Sequence, residues 1–251
     1  MFGALPTLGA LPWALLAVAA LLVGVSKTAL PGLGTVSVAL FAAVLPARAS
    51  TAAILLLLIL ADVFALAIYR RHADWPTLIR LIPAVAVGLI FGALFLAFAD
   101  DAWVRRGIGV ILLLLMAATL WQRLRPRTQE PSPRRRRLAR AGYGSLSGFT
   151  TMVANSGGAA MSMYLLTAGF SVKAFLGTAA WFFAVINLTK VPISIGLGLI
   201  TPATLVLDLV LAPAVVIGAL FGRWIGARIK QSVFEWAVIG FTVVGAVYLV
   251  I

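Results

Sequence analysis

Two ionisable side chains, Lys27 and Asp62, lie deep inside apolar sequence. An isolated charge there costs several kcal/mol unless it finds a partner. Lys27 stands in a polar, Gly-rich interruption at residues 24–34, which also offers Ser26, Thr28, Gly32 and Gly34. A second interruption, residues 147–158, offers Thr150, Thr151, Asn155, Ser156 and Gly157. Backbone broken at membrane depth is tolerated only where protein encloses it or where it lines a wet cavity. Helix ends at such a break point amide donors and a partial positive charge into that cavity. Two breaks brought together, with hydroxyl, amide and ammonium groups between them, form a site for a small anion near the midplane. The competing explanation is close helix packing through small residues, and for Lys27 a side chain that snorkels to the membrane surface.

Other residues bear on the same chemistry. Asp62 reads as a proton carrier, as a structural partner of Lys27, or as one side of a helix–helix hydrogen bond. Asn187 aligns with Asp62 in an internal repeat and offers a neutral donor and acceptor to the anion. Lys190 follows Asn187 by one helical turn and is expected in the outer vestibule or at the membrane surface. Trp181 lies inside an apolar run, where it either contacts substrate or packs in the core, and Asp208 stands nearer a helix end. The chain has no Cys and one His, His72, flanked by Arg70 and Arg71. Metal sites, cofactors and thiolate catalysis are therefore not expected.

The elements that must position these groups are membrane helices. Of 251 residues 63% are hydrophobic and 11% charged, against roughly 45–50% and about 25% for a soluble domain. A spanning helix takes about 20 residues. The apolar runs at residues 8–25, 35–45, 49–69, 81–99, 107–124, 157–170, 174–188, 203–222 and 233–251 predict eight to ten helical segments. The runs are continuous rather than alternating, which excludes the strands of a membrane barrel. The fold class expected is an all-α integral membrane bundle, with broken or re-entrant helices at the start of each half.

The halves repeat each other. Pro83, Ala84, Val85, Gly88, Phe91 and Gly92 recur at identical spacing as Pro213, Ala214, Val215, Gly218, Phe221 and Gly222. With a smaller offset Gly24 matches Gly148, Gly34 matches Gly158, and Asp62 matches Asn187. Between the halves, residues 123–140 hold eight Arg and three Pro and read as an aqueous loop. The domains expected are a first repeat at 1–124, a basic linker at 125–140 and a second repeat at 141–251. Basic loops face the cytoplasm. Placing the linker there puts residues 70–80 inside and their repeat mates, residues 189–202, outside, so the two repeats are inverted and both termini external. The N-terminal residues 1–12 carry no Lys or Arg, so the first apolar run is expected to be retained rather than cleaved. Arg134–Arg137 would bind anionic lipid headgroups. No aromatic residues interleave with that run, which argues against nucleic acid. The Gly88–Gly92 and Gly218–Gly222 pairs pack helices inside the protomer or at a homodimer interface.

The motifs Gly24-x-Ser26-Lys27-x-x-x-Pro31-Gly32-x-Gly34 and Gly148-Phe149, followed by Asn155-Ser156-Gly157-Gly158, resemble those of the TauE/SafE sulfite exporter family, also called the toluene sulfonate uptake permease group. The resemblance covers essentially the whole chain, including its length, its doubled halves and its basic centre. It implies a bacterial inner-membrane transporter of small sulfur-containing anions such as sulfite, thiosulfate or short organosulfonates, often an exporter.

The function expected is a secondary transporter that binds its anion between the two Gly-rich motifs, with Asp62 as the candidate proton carrier. Two rivals belong to other classes. A passive anion channel would use the same broken helices, and saturable flux with counterflow separates the two. A membrane-embedded enzyme needs a cluster of His, Asp, Glu or Cys at one membrane face, which the scattered acids do not supply.

Overall fold

The computed structural model describes residues 8–98, 133–234 and 236–240, with Trp103 and Ala117 as isolated helical positions. All secondary structure among the described residues is helical. The helices are α1 (Ala10–Thr28), α2 (Leu33–Val44), α3 (Ala47–Tyr69), α4 (Trp75–Phe98), α5 (Pro133–Ala154), α6 (Gly157–Thr167), α7 (Val172–Gly196) and α8 (Pro202–Gly226). A short 3-10 turn, Arg70–His72, follows α3. Five of them, α1, α3, α4, α7 and α8, are long and apolar enough to cross a membrane. The protein is a multi-pass membrane protein. The expected segment at 107–124 lies outside the described residues except for Ala117, as does that at 233–251 beyond residue 240.

Two boundaries differ from the sequence expectation, each for a physical reason. The basic run is not all loop. Helix α5 begins at Pro133 and takes in Arg134–Arg137, because proline suits the first helical position and arginine is a good helix former. Helix α7 does not stop near residue 188 but continues through Lys190 and Pro192 to Gly196. The groups that read as a boundary there are satisfied by tertiary partners described below.

The Gly-rich interruptions are broken only over residues 29–32 and 155–156; residues 24–28 and 147–154 stay helical as the ends of α1 and α5. Helix α2 folds back on α1, so that a Cβ placed on Gly34 would lie 3.4 Å from Ser26 Oγ. A straight helix would carry those residues about 12 Å apart. Helix α6 likewise folds back on α5, and Ser147 Oγ donates to Gly157 O at 2.9 Å to tie the turn. Each long arm then packs along a helix of the other half: α1 along α8 and α4 along α5, while α3 crosses α7.

The packing of the long arms is close and alike in the two places. A Cβ on Gly24 would run into the backbone of Val215 and Ala219, and one on Gly148 into that of Val85. Leu21 meets Gly218, Val25 meets Gly222 and Thr28 meets Gly226, so α1 and α8 run parallel. Ala84 meets Gly144 and Met152 meets Gly92, so α4 and α5 do too. Gly88, Gly92, Gly218 and Gly222 are thus spent within the chain. The outward faces of α4 and α8 carry Ile79, Ile90, Phe91, Leu209, Ile217 and Phe221, all more than half exposed. That surface suits lipid and not water.

One buried acid has no partner. Asp208 on α8 is 6% exposed, and neither carboxyl oxygen has a hydrogen bond. A buried polar group left unpaired costs about 1–3 kcal/mol. Asp208→Leu is therefore expected to raise the unfolding free energy by about 1–3 kcal/mol, read as a higher melting temperature in detergent. An unchanged or lower value contradicts the assignment.

Candidate functional site

The turns between α1 and α2 and between α5 and α6 face one cavity. Ser26, Lys27, Pro31, Gly34 and Thr35 line it from the first turn, and Thr151, Asn155, Ser156 and Gly158 from the second. Asn187 and Phe183 from α7 complete the wall with Leu58, Leu176, Ala179 and Ala180. About 550 Å³ of atom-free space, open solvent included, lies among these residues.

Lys27 reaches the cavity from the last turn of α1. Its Nζ lies 2.7 Å from Asp62 Oδ1 and 4.3 Å from the centroid of the Phe183 ring. Asp62 on α3 is 2% exposed, and its other oxygen accepts from Asn187 Nδ2 at 2.7 Å. Asp62 thus has both an ion-pair partner in Lys27 and a helix–helix hydrogen bond from Asn187. The aligned pair Asp62 and Asn187 thus meet where α3 crosses α7, and Asn187 Oδ1 keeps an unbonded acceptor.

The second turn is built on Asn155. Its φ of 54° lies in the left-handed region, the one such non-glycine among the described residues. Asparagine tolerates that conformation at a helix end. Its Nδ2 donates to Thr51 O at 2.7 Å, and Thr51 Oγ1 donates to Val153 O at 3.2 Å. Helix α3 of one half therefore holds the turn of the other.

Lys190 corrects the sequence expectation. It is fully buried, neither in a vestibule nor at the membrane surface. Its Nζ donates to Thr151 O at 2.5 Å and to Asn155 Oδ1. The second turn thus has an ammonium behind it. At the Gly24–Gly148 offset Thr151 stands opposite Lys27 in sequence, and the ammonium at the second turn comes from Lys190 of α7. The signal was present: Lys190 lies three residues after Asn187, on nearly the same face of α7. An ammonium in sequence nonetheless reads as a surface mark until its acceptors are known. Phe183 and Thr51 carried no sequence signal for their roles.

Several named residues are brought near the cavity without lining it. Thr28 Oγ1 shares its hydrogen between Gly24 O and Ala219 O, both at 3.0 Å, and its own carbonyl accepts from Tyr69 Oη at 2.8 Å. It fastens α1 to α8. Thr150 donates to Leu146 O at 2.7 Å within α5, and Gly157 packs on Ser147 and Thr151. Gly32 sits at the N-cap of α2. Trp181 lies away from the cavity: its Nε1 donates to Arg70 O at 3.3 Å and its ring stands 5.1 Å from Trp75. The backbone N–H groups of Leu33, Gly34 and Thr35 bond to Leu30 O, Pro31 O and Gly32 O. The start of α2 therefore offers the cavity its dipole more than free donors.

A buried ammonium at one turn, a second ammonium behind the other, and hydroxyl and amide groups between them favour an anion. A family model described as "Sulfite exporter TauE/SafE" matches residues 16–249, nearly the whole chain. No match is found among curated proteins or solved structures.

Proposed function

The chain belongs to the TauE/SafE sulfite exporter family, and from that premise we propose that it is a secondary transporter exporting small sulfur-containing anions across a bacterial inner membrane. The observation that carries this reading is the single cavity shared by both Gly-rich turns, with Lys27 in its wall. The anion binds between Ser26, Lys27, Thr151, Asn155, Ser156 and Asn187, and Asp62 serves as the counterion that holds Lys27 in place. Thr28, Thr150 and Gly157 shape the turns.

The architecture in this reading is a pair of inverted repeats. The equivalent contacts of Gly24 and Gly148, the parallel packing of α1 with α8 and of α4 with α5, and the meeting of Asp62 with Asn187 all support it. Helix pairs α1–α2 and α5–α6 are then re-entrant hairpins from opposite faces. The basic start of α5 lies on anionic headgroups in the cytoplasm, and both termini lie outside. Alternating access moves the hairpins against the α3–α7 crossing.

Thermal unfolding of the purified protein with sulfite, thiosulfate and short sulfonates tests the site. A ligand at about 100 times its dissociation constant adds about 2.7 kcal/mol to the folded state. At least one of these anions should raise the melting temperature, and the rise should vanish in Lys27→Ala. If none shifts the wild-type protein, the cavity is not the anion site. Counterflow of labelled anion in proteoliposomes then identifies a carrier.

A further inference from the structure

We infer that the ligand of this cavity is a monoanion, its charge set by Lys190. The inference rests on the reading of the cavity as an anion site.

Three charged side chains stand at the two turns: Lys27, Asp62 and Lys190. Lys27 and Asp62 are paired at 2.7 Å and cancel. Lys190 is fully buried, and both acceptors of its ammonium, Thr151 O and Asn155 Oδ1, are uncharged. No carboxylate lies within ion-pair distance of it among the described residues. Two ammonium groups and one carboxylate leave a single positive charge without a counterion. A buried charge of that kind is costly unless compensated. Thr151 and Asn155 both line the cavity, so an anion there sits one residue away from the Lys190 ammonium. Lys190 also holds the Asn155 amide oxygen, and Thr51 O accepts from the amide nitrogen, so the Asn155 side chain is fixed at the cavity wall.

The arithmetic then selects among anions. One negative charge neutralises the trio; two leave an excess negative charge in a low-dielectric site. Leu58, Leu176, Ala179, Ala180 and the Phe183 ring give the same cavity an apolar wall. That wall suits a compact anionic head on a small apolar body better than an ion that is polar on every side. The other buried carboxylate named above, Asp208, does not line the cavity and leaves the local sum unchanged.

Methanesulfonate and sulfate are close in shape and differ by one charge at neutral pH. Their binding to the purified full-length chain in detergent, measured by calorimetry, reads the inference directly. The wild-type protein should bind methanesulfonate at least tenfold more tightly than sulfate. Lys190→Gln, which makes the trio neutral, should weaken methanesulfonate at least tenfold, with Lys190→Arg recovering it. Asp62→Asn, which raises the trio to two positive charges, should move the preference toward sulfate by tenfold or more. The wild-type and Asp62→Asn readouts are ratios of affinities on one preparation, which partial misfolding does not mimic; for Lys190→Gln, recovery in Lys190→Arg serves that purpose. Equal wild-type affinity for the two ions, or tighter sulfate, overturns the charge inference and leaves the anion site standing. Binding of neither overturns the charge inference, and the anion reading falls with it only if sulfite and thiosulfate also fail to raise the wild-type melting temperature.

Discussion

Asp62→Leu alone is expected to cost about 3–5 kcal/mol of folding free energy, and the double replacement Lys27→Met with Asp62→Leu to recover most of it. Asp62 is 2% exposed and Lys27 10% exposed. Removing the carboxylate leaves the Lys27 ammonium over the Phe183 ring with no counterion, and a cation–π contact of about 0.5–2 kcal/mol does not replace one. Asn187 loses its acceptor as well, since its Nδ2 bonds to Asp62 Oδ2. Replacing both charged groups by apolar ones of similar volume removes the unpaired charge and is often neutral. The cycle should therefore show a coupling energy of at least about 2 kcal/mol, well beyond the additivity expected of independent sites. Thermal and denaturant unfolding in detergent read it. Transport separates the roles: the double variant should be stable and inactive, because the ligand ammonium is gone. If the single losses simply add, the pair does not hold the fold at this point.

The same residues show what the sequence made legible. The apolar runs at 49–69, 81–99 and 203–222 fall on α3, α4 and α8, because a spanning helix satisfies its own backbone and so announces itself by composition alone. Lys27 stood out as a lone ammonium in apolar sequence, but it lies in the last turn of α1 rather than in irregular backbone. Lys190 was not legible. Inside α7 it is followed by Pro192, and lysine before proline reads as the end of a helix. Its burial depends on Thr151 O and Asn155 Oδ1, which lie 39 and 35 residues earlier. No local pattern carries such a contact. Thr51 is a still plainer case: a threonine in an apolar run becomes the clamp on Asn155 only through the crossing of α3 with the α5–α6 turn. The glycine spacings were legible as packing motifs, but not whether they pack within the protomer or between protomers. Their partners, α1 for Gly218 and α5 for Gly88, settle that within the chain.

Gly24→Val and Gly148→Val should each destabilise the protein by more than about 3 kcal/mol, beyond the usual cost of an overpacked core site. The obstacle is backbone. A Cβ at Gly24 would strike Val215 O and come within 2.8 Å of the Gly218 carbonyl carbon; one at Gly148 would strike Val85 O and lie 3.1 Å from Leu89 N. No rotamer change relieves such contacts, so α1 must move from α8, or α5 from α4. Alanine is the milder probe: about 1–3 kcal/mol of overpacking set against up to about 1 kcal/mol gained in helix propensity. Gly142→Ala is the control. That glycine lies in α5, exposed and with nothing within 4 Å of its Cβ position, so the substitution should stabilise by about 0.5–1 kcal/mol. The comparison of Gly24 with Gly148 carries the most weight. Their surroundings are built from repeat mates, Val215 against Val85 and α8 against α4. If the protein is two copies of one unit facing opposite ways, the two alanine variants should lose equal stability within about 1 kcal/mol, apart from the usual scatter between matched core sites. A severe loss at one position and none at the other would mean that only one of the two crossings bears on the stability of the fold.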